Sequence, residues 1–148
     1  MPTIQTTYAA QHARWVEGMV LNSEPGVIIS REVQTAAGIG FGKVAIRGAG
    51  EHQIAVSAAG GKYLGLTVMD ITQAGAVVDV YPQYATAAVM TKGVIVAQAS
   101  VAVAAGDPVY FVPATGVLTN ASSGNTIIPN AQWDTATTGA GLAAIRLA

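Results

Sequence analysis

The chain has 148 residues, no cysteine, and seven Lys and Arg against eight Asp and Glu, for a formal net charge of -1. One domain of ordinary size is the expectation, with a core large enough to need neither disulfide nor structural metal. The lack of cysteine excludes disulfide frameworks, thiolate metal sites and Cys nucleophiles, and the balanced charge disfavours both nucleic-acid binding and an electrostatic membrane anchor.

Charged residues make up only 10% of the chain, where about 25% is typical, while hydrophobic residues make up 51% and the mean hydropathy is +0.45. No run approaches the roughly 18 apolar residues that span a bilayer, because Gly, Gln, Thr, Ser and Pro interrupt every candidate. Met1 to Thr7 has no basic region and no apolar region, so neither a signal peptide nor a membrane partner is expected. Two readings of such a composition remain: a sheet that shows short uncharged side chains to water, or surplus apolar surface buried against other subunits. The charge distribution favours the second. Residues 1–74 hold ten of the fifteen charges, and residues 108–133 hold none.

In chain order, residues 1–16 read as an extended N-terminal arm with widely spaced anchors at Ile4, Tyr8 and Trp15, ordered by a partner or simply frayed. A short helix near Ala9–Val16 is the one helical possibility. Residues 17–148 read as a single β domain. Segments rich in Val, Ile and Thr predict strands near Gly18–Leu21, Val27–Val33, Gly40–Arg47, His52–Ser57 and Tyr63–Ile71, then near Val77–Val80, Ala88–Gln98, Pro108–Val112, Val117–Thr119 and Leu142–Leu147. Turn signals at Ala58 to Gly61 and Asn120 to Asn125 separate them. Asp107-Pro108 and Thr115-Gly116 mark the two turns of a hairpin. Short strands at this spacing predict an all-β fold: a compact β-sandwich or a β-barrel-like domain, of jelly-roll or β-tulip type.

Catalytic constellations are hard to assemble from this inventory. His12 falls in the arm and His52 beside Glu51, without metal-ligand spacing, and Asp70, Asp79, Asp107 and Asp134 stand singly. Gly38-Ile39-Gly40-Phe41-Gly42-Lys43 resembles a phosphate loop but fails the Walker pattern at Ala37 and Val44 and fails the dinucleotide pattern at Lys43. It reads instead as a glycine-alternating strand whose bare face admits another backbone or a large ring. No catalytic residue, metal or cofactor is expected.

The order of several weak motifs is more specific. Ser30-Arg31, the Gly38 to Gly42 run with Val44 and Arg47-Gly48, Asp79 to Tyr84, Val89 to Gly93, Ala105 to Tyr110 and Ile128 to Asp134 ahead of Gly141-Leu142-Ala143 together resemble the structural cement, or capsid decoration, proteins of tailed bacteriophages. The resemblance runs from about residue 25 to the end of the chain. It implies a non-enzymatic protein of the virion that binds the outer surface of an icosahedral head and bridges neighbouring copies of the major capsid protein. It also implies association with copies of itself, as a trimer or a dimer, with the trimer preferred. The candidate interface residues are Ile4, Tyr8, Trp15, Tyr81, Tyr84 and Trp133. Two other readings stay open: a head–tail joining or tail subunit, and a small enzyme or carbohydrate-binding β-sandwich in which Tyr81, Tyr84 and Trp133 would be exposed stacking rings rather than packed ones.

Overall fold

The computed structural model describes residues 15–73 and 77–148. Among these there is no helix, and eleven strands follow one another along the chain: β1 (Val27–Val33), β2 (Ile39–Gly40), β3 (Val44–Arg47), β4 (Gln53–Val56), β5 (Tyr63–Thr67), β6 (Val80–Tyr81), β7 (Thr86–Ala99), β8 (Pro108–Phe111), β9 (Leu118–Thr119), β10 (Thr126–Trp133) and β11 (Gly141–Leu147). Nine of them form one sheet in the order β1-β4-β3-β5-β7-β11-β10-β8-β9, with β7 pairing additionally to β1 and to β9. Those two extra pairings close the sheet twice. The first ring is β1-β4-β3-β5-β7 and the second is β7-β11-β10-β8-β9, so the barrel-like alternative is the one adopted. A closed ring of five strands cannot be antiparallel throughout, and each ring contains one parallel pair, β1 with β4 and β7 with β9.

The strand common to both rings is β7, fourteen residues long. Its first half pairs with β1 from Thr86 to Lys92, and its second half pairs with β11 from Gly93 to Ala99. Side chains alternate along a strand, so an extra residue exchanges the two faces. The ladder to β1 slips by one residue at Thr91, between the pairs Val27–Lys92 and Ile28–Met90. Before the slip, Ala87 and Val89 join Val33, Ala45 and Ile54 in one apolar cluster. Beyond it, Ile95, Ala97 and Ala99 join Phe111, Ile128, Trp133 and Ile145 in the other, which Met90 also enters. Gly93 sits at the bend with φ +126, a conformation that L side chains rarely adopt.

Three expected strands are interrupted or shortened, each for a local reason. Gly40–Arg47 is interrupted by a turn at Phe41-Gly42, where the buried Thr67 Oγ1 accepts from Lys43 N at 2.9 Å and donates to Gly40 O at 2.6 Å. Gly38 and Gly42 have φ of 78° and 66°, so they bend the chain instead of alternating along a strand. The anticipated close approach is real, since a Cβ on Gly42 would lie 2.8 Å from Gly18 N and one on Gly38 would strike the Tyr81 carbonyl. Tyr63–Ile71 ends early, because the Asp70 carboxylate accepts from Thr72 N and Thr72 Oγ1 at 2.9 and 2.7 Å and turns the chain. The Val77–Val80 strand begins only at Val80, after Asp79 with φ 60. One strand was not anticipated, β10, whose Pro129-Asn130 pair breaks the alternation. It bulges widely there: five steps from Ile127 to Gln132 oppose two from Tyr110 to Pro108, and Asn130 has φ 57.

A strap over residues 18–21 lies on β7, with Gly18 N donating to Val96 O, Leu21 N to Val94 O, and Val96 N to Met19 O. This is the Gly18–Leu21 strand, reduced to a single bridge between Val20 and Ile95. Its far end is tied down by Arg146 of β11, whose guanidinium donates to both carboxylate oxygens of Glu24 and to Asp134. The hydrogen bond from Arg146 holds the Glu24 carboxyl below its ordinary value.

Two outcomes are expected of the purified domain. Gly93→Ala forces a strained backbone at the bend and lowers unfolding stability by about 1–3 kcal/mol in urea. Gly139→Ala, where a Cβ meets nothing and φ is not positive, leaves stability unchanged or slightly raised; equal losses at the two positions refute the role of the bend. A carboxyl with a depressed folded pKa contributes stability that is complete above its unfolded value and is lost as pH falls through its folded one. Between about pH 6 and about pH 3 the wild type therefore loses more stability than Glu24→Gln, and parallel melting curves for the two proteins refute the tie.

Candidate interaction surface

Whether a side chain can meet a partner is decided first by whether it reaches the surface. Of the six candidate interface residues, Ile4 and Tyr8 lie outside the described residues. Trp15 is half-buried ahead of the turn at Glu17-Gly18, at the entrance of the strap. Tyr84 is 70% exposed. Tyr81 and Trp133 are fully buried, which corrects their placement at an interface: both belong to the cores of the rings.

The physical reasons are clear for both. Tyr81 packs edge-on against Phe41 with ring centroids 5.1 Å apart and donates its hydroxyl to Val68 O at 2.6 Å, so ring and polar handle are both satisfied inside. Burial pushes its phenol pKa up. Trp133 fills the second ring although its Nε1 has no hydrogen-bond partner among the described residues. An unpaired buried donor costs about 1–3 kcal/mol. A buried Trp removes about 150–250 Å² from water, worth about 4–6 kcal/mol at 25 cal/mol per Å², so the ring's area decides its position. Tyr81, Tyr84 and Trp133 therefore form no shared stacking platform for a sugar.

Tyr84 is held differently. It occupies the left-handed region with φ 65, which is costly for a bulky side chain, and its N donates to Val33 O at 2.8 Å, closing the turn from Pro82 into β7. The backbone thus displays an aromatic ring to solvent at the end of β1.

The charges of the second ring are paired within the domain, at its surface. Asp107 accepts from Ala104 N at 3.0 Å and from Asn120 Nδ2 at 2.8 Å, and Asp134 and Arg146 join the tie to Glu24, so all three charges beyond Lys92 are engaged within the domain. The outward side chains of β10 are uncharged, Thr126, Ile127, Pro129 and Asn130 among them, and Val117 and Val101 are exposed as well. A shallow groove of about 310 Å³ runs between Lys43, Gln98, Ser100 and Gly116, beside the Glu17–Lys43 ion pair at 2.6 Å.

Two apolar exposures were missed by sequence reasoning. Ile71 lies in the turn after Asp70 and Val78 in the turn before Val80, 87% and 82% exposed; the expected strands Tyr63–Ile71 and Val77–Val80 include them, and the Asp70 and Asp79 turn chemistry was the available signal. Val27 and Ile28 of β1 are 47% and 49% exposed. No sequence signal distinguishes them, because their pattern is that of any strand.

Among the described residues no three His, Asp or Glu side chains gather as a metal site would require, and no helix is long and apolar enough to cross a membrane. No curated protein matches the chain. A solved structure titled "The capsid of Myoviridae Phage XM1" contains a chain of the same fold, with a TM-score of 0.75 over 99% of this chain and 98% of that one at 17% identity. Residues 4–148 match the family described as "Structural cement protein (E217 gp24/Pam3 gp6)", which spans both rings and the strap, and the chain accordingly belongs to the structural cement protein family of phage capsids.

Proposed function

We propose that this protein stabilises a phage head by occupying junctions between copies of the major capsid protein on the outer surface, through contacts and not through catalysis. Family membership makes it a cement component of the virion capsid, and the observation that carries the finer reading is that match over residues 4–148. The uncharged outward side of β10 supports it, because a surface with few charges loses little solvation when covered. Tyr84 and Trp15 are the proposed aromatic anchors, joined by Ile4 and Tyr8 of the arm. Association of three copies at a threefold position is the proposed assembly.

The mechanism is linkage. A protein that binds only the assembled lattice raises its stability by about 2.7 kcal/mol per site at a hundredfold excess over the dissociation constant, and a head offers many equivalent sites. The direct experiment mixes purified protein with matching heads that lack it, followed by imaging and thermal release of the packaged genome. Regular decoration with a raised release temperature is expected. Attachment confined to the tail vertex favours a joining or tail role instead.

Two variants separate binding from folding. Tyr84→Gly removes the ring and relieves the left-handed backbone, so the thermal midpoint of the free protein holds or rises while head affinity falls about tenfold or more; unchanged affinity removes Tyr84 from the interface. Deleting residues 2–14 leaves the free domain's midpoint nearly unchanged and lowers head occupancy by about tenfold. A destabilised domain with full occupancy assigns those residues to the domain instead.

A further inference from the structure

Many strand edges are consumed by ring closure, but among the described residues β1 keeps a stretch of edge that is not. It pairs with β7 from Val27 to Glu32, but its other edge meets β4 only at Glu32 and Val33. Backbone groups point to alternate sides along a strand. Val33 N donates to Ala85 O and Val33 O accepts from Tyr84 N on the β7 side, whereas Glu32 N donates to His52 O and Gln34 N to Ile54 O on the β4 side. Stepping back by twos, Ile29 and Arg31 bond toward β7, and Ile28 and Ser30 direct their N–H and C=O to the open edge. The segment from Val27 to Arg31 spans about 17 Å at 3.3 Å per residue, room for one short added strand.

Such edges invite pairing unless they are blocked by proline, lysine or an inward charge. Among the described residues no proline or lysine lies on it, and apolar Val27 and Ile28 lie half-exposed along it. One side chain does reach across. Arg31 Nη1 donates to Ser30 O at 2.8 Å, on the open edge. Its Nε is buried without a hydrogen-bond partner among the described residues. The three ion pairs found there, Lys43 with Glu17 and Arg146 with Glu24 and Asp134, leave Arg31 without a carboxylate. A desolvated guanidinium donor beside two backbone N–H groups that meet no described strand matches an extended chain that carries a carboxylate.

We propose that the open edge of β1, Val27 to Arg31, receives an extended segment of a capsid-shell subunit as an additional strand, with a carboxylate of that segment paired to Arg31. This rests on the head-binding reading above. A second copy of this chain fits less well: antiparallel pairing of β1 with itself, centred on Ile29, sets Ile28 against Ser30 and Arg31 against Val27, and brings no acid to the guanidinium.

The test uses the intact protein and matching heads that lack it. Hydrogen exchange is read at the amides of Ile28 and Ser30, in free protein and on heads. Both exchange rapidly in the free protein and become protected on heads, while Ile29 and Arg31 are protected throughout. Arg31→Glu weakens head binding on the order of thirtyfold or more, and Arg31→Lys, which keeps the charge but not the fork, weakens it less. Ile28→Pro removes an outward N–H without touching the ladder to β7 and also weakens binding; the exchange measurement stands even if that variant folds poorly. Wild-type binding without added protection at Ile28 and Ser30 overturns the strand addition and leaves head binding intact. Failure of the wild type to bind heads overturns both. Protection in the free protein that rises with its concentration identifies a second copy as the occupant and overturns the proposal.

Discussion

One strand holds the molecule together. Because β7 belongs to both closed rings, the two cores cannot separate without breaking its ladders, and the residue slip at Thr91 with the bend at Gly93 lets a single strand line two interiors. A continuous alternation would have sent Ile95, Ala97 and Ala99 away from the second core. β3 completes the join from the other side: Ala45 faces the first cluster while Val44 and Ile46 face the second, so this short strand is buried on both faces. Closure also removes most of the free strand edge that a small β protein would otherwise expose at high local concentration.

The loops around this frame are fixed by a few buried polar groups. Thr67 organises the Gly40 to Lys43 turn, and Tyr81 anchors the β2–β6 ribbon to the segment after β5 through Val68 O. Each is a satisfied buried hydrogen bond, which costs little net free energy to keep and much more to break on one side. The same logic governs charge. Arg146, Asp134, Glu24 and Asp107 pair with the strap and the β8 hairpin, and the outward side of β10 is left uncharged. A face of that kind suits burial against another protein, since neutral side chains give up less hydration than charged ones.

Against this pairing of charge, Arg31 stands out. Among the described residues the N–H groups of Ile28 and Ser30 beside it meet no strand, and its own Nε is buried without a partner. Recognition of an acidic extended chain, as proposed above, would use both features. Tyr84 shows the same character in the backbone: a bulky residue in a left-handed conformation with its ring in solvent.

Much was legible in the sequence because it depends on local chemistry. Runs of Val, Ile and Thr between Gly, Asn and Asp-Pro signals placed most strands, the hairpin at Asp107 to Thr119 and the turn at Ala58 to Gly61. The family resemblance rested on the same short-range features. What the sequence could not supply was anything set by pairing at long range: that the sheet closes twice, that β7 is shared, or that Pro129-Asn130 bulges within a strand. Burial of aromatics is likewise a tertiary decision, because Tyr81, Tyr84 and Trp133 have similar local surroundings in sequence, yet two are enclosed by strands distant along the chain and one is left outside. The open edge at Ile28 and Ser30 is the extreme case. Every strand has two edges in sequence, and only the closure of the rings determines which one remains unpaired.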